Sequence, residues 1–123
     1  MISFEQFIQE EGSPIYVQIL LYIKRGIIAG TIQNGDELPS RRMLSALLGV
    51  NPNTVQKAYR FLEEEGLIQS HSGAKSYVQV DGAAIGRMKG ELLAEDARSV
   101  VTAMKQMGLT KEEALSIIEK FWE

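Results

Sequence analysis

The chain has 123 residues, enough for one small core with an appendage and too few for two domains that each bury a full core. Hydrophobic residues at 45% and charged residues at 24% fit a folded globular chain, and the absence of cysteine removes disulfides, thiolate nucleophiles and zinc-ribbon sites together. The net charge is -3, which on average disfavours an anionic partner.

That average conceals a segregation. Acids gather at Glu10–Glu11, Asp36–Glu37, Glu63 to Glu65, Glu95–Asp96 and Glu112–Glu113, whereas Leu38 to Leu62 holds Arg41, Arg42, Lys57 and Arg60 and no acid. Fields are screened over about 10 Å at ordinary salt, so an approaching anion meets the local basic stretch rather than the mean.

The opening "MISFEQFIQEEG" has acids and no basic n-region, unlike a secretory signal. The run "IYVQILLYI" is interrupted by Gln18 and stops at Lys24 and Arg25, short of the roughly 20 residues of a membrane span. Both features suit a cytoplasmic protein. Ser13 and Pro14 read as N-cap and first residue of a helix in which Ile15, Ile19, Ile23 and Ile27 recur every four positions, broadened by Tyr16, Leu20, Leu21 and Ile28. It should end near Gly30, before the turn-forming "QNGDELPS".

Ser40 is placed to cap a short second helix, "RRMLSALL", with Met43, Leu44, Leu47 and Leu48 on one side and a stop at Gly49. Asn51 caps the third, Pro52 occupies its first position, and Val55, Ala58, Tyr59 and Leu62 form the buried stripe. In "GLIQSHSGAKSYVQV" two apolar segments flank a polar centre, the pattern of a β-hairpin. The expected fold is therefore mainly α with a small β-hairpin: a winged helix-turn-helix domain over residues 1–80, followed by a two-helix extension over 81–123. In the extension Leu93, Ala97, Val100, Met104 and Met107 alternate four and three apart, the spacing of a coiled-coil seam that asks for a partner copy. A last helix begins with a capping box of Thr110 and Glu113 and turns Leu115, Ile118 and Phe121 inward.

The third helix has the make-up of a groove reader. Asn53, Thr54, Gln56 and Lys57 lie near its N-terminus, where side chains reach base edges or phosphates when such a helix enters a major groove. Gln and Asn match the donor and acceptor pair of adenine, Lys matches guanine or a phosphate, and the Thr54 methyl matches that of thymine. Ser40, Arg41 and Arg42 open the preceding helix, where N–H groups and two cations converge on a phosphate position, and Arg60 and the hairpin-tip Lys75 add charge. Any one of these residues has the plain alternative of a solvated surface side chain; their co-occurrence favours nucleic acid. His71 is a single histidine without Cys partners and reads as a strand-end surface residue, so no metal and no cofactor is expected. Enzyme motifs such as H-E-x-x-H or a P-loop are absent from the sequence. Two other readings are a winged-helix module that binds protein, and a DNA-binding protein of low specificity.

The stretch "PIYVQI…IIAGTIQNGDELPSRRMLSALLGVNPNTVQKAYRFLEEEGLIQSHSGAKSYV" resembles the winged helix-turn-helix domain of the GntR family of bacterial transcription regulators, through P-I-Y, G-D-x-L-P-S-x-R, L-G-V, T-V-x-x-A and L-x-x-E-G-L-I. "VNPNTVQKAY" and the short tail are similar to the YtrA-like subgroup. The resemblance implies a homodimeric repressor on an inverted-repeat operator, often of ABC-transporter genes, with Arg42 touching DNA. It also implies a shift in base preference. Pro52 and Gln56 stand where the family often has Arg, which points to a different or more A·T-tolerant half-site, and Arg41 stands where the family often has Glu. The family's G-x-G wing falls on Gly73, Ala74 and Lys75, so a lysine contact is expected in place of close backbone approach. A small effector is an open partner: Met88, Met104, Met107 and Trp122 would line an apolar cleft for it, or else form dimer core.

Overall fold

The computed structural model describes residues 1–71 and 75–123, and among them are five helices and three short strands. In chain order these are α1 (Ile15–Ala29), β1 (Glu37–Leu38), α2 (Arg41–Leu48), α3 (Pro52–Glu64), β2 (Ile68–Ser70), β3 (Ser76–Val78), α4 (Gly82–Gln106) and α5 (Lys111–Phe121). The chain divides into two compact units, Met1–Gly86 and Arg87–Glu123, so the division falls inside α4. No helix among the described residues is long and apolar enough to cross a membrane.

In the first unit the isoleucine repeat does what its spacing dictates. Ile19, Ile23 and Ile27 are buried along α1, and Gly30 ends the helix at φ 85°, a left-handed position that costs glycine nothing. The start differs from expectation by a residue: Pro14 is itself the N-cap, with no side-chain cap, and Ser13 lies outside. The Gln18 amide instead fixes the entry, its Nε2 donating to the carbonyls of Glu10 and Ser13 at 2.8 and 2.9 Å while its Oε1 accepts from the Glu10 N–H.

Helix α3 packs against both α1 and α2 and contributes Val55, Ala58, Tyr59 and Leu62, all fully buried. Asn51 Oδ1 accepts from the Asn53 N–H at 2.8 Å and Pro52 follows at the first turn, so α3 starts where its cap chemistry requires. Ser40 caps α2 by accepting from the Met43 N–H at 3.1 Å, and Gly49 terminates it in the left-handed region. The apolar face of α2 is narrower than the sequence suggested. Leu44 and Ser45 are buried, but Met43 and Leu47 are 51% and 65% exposed, because the inward stripe of so short a helix centres on Leu44 and the Ser45 hydroxyl, which donates to the Val50 carbonyl.

The hairpin strand β3 is the centre of a three-stranded antiparallel sheet of order β1-β3-β2, with Glu37 opposite Tyr77, Ile68 opposite Val78 and Ser70 opposite Ser76. The Ile2 N–H donates to the Glu37 carbonyl at 2.8 Å, and Ile2 and Phe4 are buried, with Phe4 stacked on Tyr22 of α1 at 4.8 Å. The wing positions Gly73 and Ala74 lie outside the described residues.

In the second unit the Thr110 and Glu113 capping box is complete: Thr110 Oγ1 accepts from the Glu113 N–H, and the Glu113 carboxylate accepts from the Thr110 N–H. The bond from the Thr110 N–H, helped by the Thr110 hydroxyl, holds the Glu113 carboxyl below its usual pKa. The expected inward face of α5 is corrected by exposure: no residue of α5 is buried, Leu115 is 55% and Phe121 82% exposed. An eleven-residue helix in so small a unit has too little neighbouring chain to cover its apolar side.

Candidate nucleic-acid interface

Residues 53, 56, 60 and 63 lie on one stripe of α3, opposite the buried Val55, Ala58 and Leu62. Asn53, Gln56 and Arg60 are all exposed, and Arg42 is exposed in the first turn of α2, the helix that packs on α3. Thr54 is half-buried, its N–H donating to the Asn51 carbonyl at 2.9 Å. The Ser40 hydroxyl is used as an acceptor by its cap, which leaves the hydroxyl proton available to donate outward.

The cations are less alone than their sequence neighbourhood suggests. Arg41 is half-buried: its Nη2 donates to Glu63 Oε1 at 3.1 Å, its Nε donates to Gln56 Oε1, and its guanidinium carbon lies 5.1 Å from the Tyr59 ring centre. Lys57 leans toward α1, with Nζ 4.2 Å from the centre of the Tyr16 ring, which itself stacks on Phe61 at 5.7 Å. Arg60 lies 5.6 Å from the Phe61 ring centre. Cation–π contacts at exposed sites are worth about 0.5–1 kcal/mol, so they bias these side chains without locking them away from a phosphate.

Tyr59 is core, as expected, and its hydroxyl donates to the Pro39 carbonyl at 2.7 Å. Burial pushes its phenol above the usual pKa, opposed in part by the Arg41 charge. In the hairpin, Lys75 and His71 are exposed; the His71 N–H donates to the Lys75 carbonyl at 2.9 Å and its ring packs edge-on against Tyr77 at 5.2 Å. Among the described residues no group of His, Asp and Glu is arranged to hold a metal ion.

This arrangement of capped helix pair and wing has known counterparts. Residues 15–78 match the model of the bacterial regulatory proteins of the gntR family. The HTH-type transcriptional regulator YhcF of Bacillus subtilis is 33% identical over 114 residues, covering 93% of this chain and 94% of that protein. The chain belongs to the GntR family. Its similarity to a second protein of Bacillus subtilis, the HTH-type transcriptional repressor YtrA, is 43% identity over 67 residues, 54% of this chain and 52% of that one. A GntR family transcriptional regulator from Listeria monocytogenes superposes with a TM-score of 0.78 at 33% identity, covering 91% of this chain and 98% of that chain. The protein is thus a DNA-binding transcription regulator with the GntR winged-helix fold and a C-terminal helical part, and not an enzyme.

Sequence reasoning left Glu63 and Ser70 out of the site. Glu63 Oε1 accepts from both Arg41 and the Ser70 hydroxyl, the latter at 2.8 Å, and Ser70 meets the buried Ser76 at 3.1 Å. A helical-wheel comparison of Glu63 with Gln56, two turns apart, is the signal that would have found it.

Proposed function

We propose that this GntR regulator is a homodimeric repressor that occupies an inverted-repeat operator in the cytoplasm and blocks transcription there. The observation that carries the reading is the exposed polar stripe of α3 flanked by Arg42, with Ser40, Thr54, Lys57 and Lys75 around it; this is the composition of a groove-reading surface. No large apolar side chain is exposed on α3, as a protein-docking helix would require. The dimer rests on the second unit, where Leu93, Val100 and Met107 are 59%, 42% and 69% exposed along the heptad positions, with Ala97 exposed and Met104 half-buried between them. Met107 and Trp122, at 69% and 81% exposure, suit a surface covered by a second copy better than the lining of an effector cleft. Repression accords with the function in YtrA's name; ABC-transporter genes are the target class carried over from the subgroup.

The test is a footprint of the purified protein on the promoter region of its own operon, with random DNA as competitor. Protection of an inverted repeat, with transcription from that promoter reduced in vitro, is the expected result. Binding that random DNA removes as readily as it removes promoter DNA would overturn it.

A further inference from the structure

Arg41, Gln56 and Glu63 come from the first turn of α2 and two turns of α3, yet they form one connected unit. Glu63 Oε1 holds Arg41 Nη2 at 3.1 Å and is itself held by the Ser70 hydroxyl of β2 at 2.8 Å; Arg41 Nε in turn donates to Gln56 Oε1. The side chains of Arg41 and Glu63 remain 25% and 37% exposed, so the pair sits at the surface rather than in the core.

This geometry changes what Gln56 can read. A glutamine matches adenine by offering an acceptor and a donor side by side. Here the acceptor oxygen faces a guanidinium that already donates to it, and the positive charge repels an approaching N–H group such as the adenine amino group. The donors that these bonds leave over are the amide NH2 of the exposed Gln56 and the Arg41 N–H groups that neither Glu63 nor Gln56 takes. Donors side by side match the O6 and N7 acceptors of guanine.

We propose that Glu63 is a positioning residue of the DNA interface. It holds Arg41 against Gln56 as a donor-only unit that selects guanine at one position of each half-site. The inference rests on the DNA-reading function above and reverses the A·T-tolerant preference that the loss of Arg at position 56 implies on its own. Glu63 also neutralises Arg41 toward phosphates, so releasing it should raise affinity for random DNA while removing selectivity.

The experiment is enrichment of a randomised duplex pool by the full chain, with Glu63→Asp, Glu63→Gln and the charge control Glu64→Gln run beside it. Glu63→Asp keeps the charge and withdraws the carboxylate by one methylene, which separates position from net charge. The wild type and Glu64→Gln should enrich guanine at one position per half-site. Both Glu63 variants should lose that preference by on the order of tenfold at that position alone, the range of one good base contact. Random-DNA binding by Glu63→Gln should gain about one unit of salt slope, a gain absent when Arg41→Ala is added. A general loss across all positions, or an unchanged profile in both Glu63 variants, overturns the proposal. So does adenine as the base lost when Gln56 is replaced by alanine. A wild-type protein that enriches no sequence overturns the DNA-reading function itself and the inference with it, a result distinct from an unchanged but selective profile.

Discussion

The Tyr59 hydroxyl is fully buried and donates to the carbonyl of Pro39, also buried, so each group depends on the other for its hydrogen bond. Removing one partner leaves the other unsatisfied, which costs more than the bond itself is worth. Tyr59→Phe should therefore lower stability by about 1–3 kcal/mol in denaturant unfolding, with the fold and the Arg41 contact to the ring retained. A loss near zero would mean that the Pro39 carbonyl finds another donor. Tyr59 also makes a pH prediction, because burial raises its phenol pKa above the ordinary 10.0. The folded state then keeps a proton that the unfolded chain releases. Its stabilisation is complete below about pH 10 and is lost as pH rises further, by about 1.4 kcal/mol per pH unit. Tyr59→Phe starts from a lower stability but should fall less steeply above pH 10; parallel curves for the two proteins would refute the assignment.

At the scale of elements, the proposed interface gives α3 most of the reading and the exposed Arg42 of α2 the task of holding phosphate. Arg42 is exposed at the α2 N-terminus, where the unsatisfied N–H groups and the helix dipole favour an anion. Arg42→Ala should weaken binding to all DNA sequences alike and reduce the salt slope by about one, measured by anisotropy at several salt concentrations. A change in base preference instead would place Arg42 on a base. These helices were legible in the sequence because their determinants are local: Ser40 and Asn51 accept the N–H bonds their positions predict, and Gly30 and Gly49 take the left-handed positions that end α1 and α2. What escaped was set by distant chain. The strand Glu37–Leu38 is too short to show a period of two and exists because β3 pairs with it. The outward turn of Met43 and Leu47 follows from where α3 meets α2, and the Arg41 pair joins residues 22 apart. Composition marks out the basic stretch but does not show that Glu63, just past its end, folds back onto its first arginine.

On the scale of the whole molecule, the first unit buries its own core, whereas the second leaves Leu93, Val100, Val101, Leu115 and Phe121 at least 42% exposed. Apolar side chains recurring at heptad spacing on a 25-residue helix form a seam that gains by covering itself with a second copy, which the proposed two-fold operator also requires. Val100→Asp tests that seam without undoing the fold of one chain, because Val100 is already 42% exposed there. A carboxylate is well solvated on the monomer and costly in a dry seam, so the equilibrium should move to monomers in sedimentation at micromolar concentration. Operator affinity should then fall by about 10²–10⁴, the gain of having the second half-site bound by a tethered reader, while binding to an isolated half-site stays as it was. If Val100→Asp remained a dimer and bound the operator as tightly as the wild type, two-fold pairing would have to run through another surface. The exposed Met43 and Leu47 of α2 would be the next place to substitute.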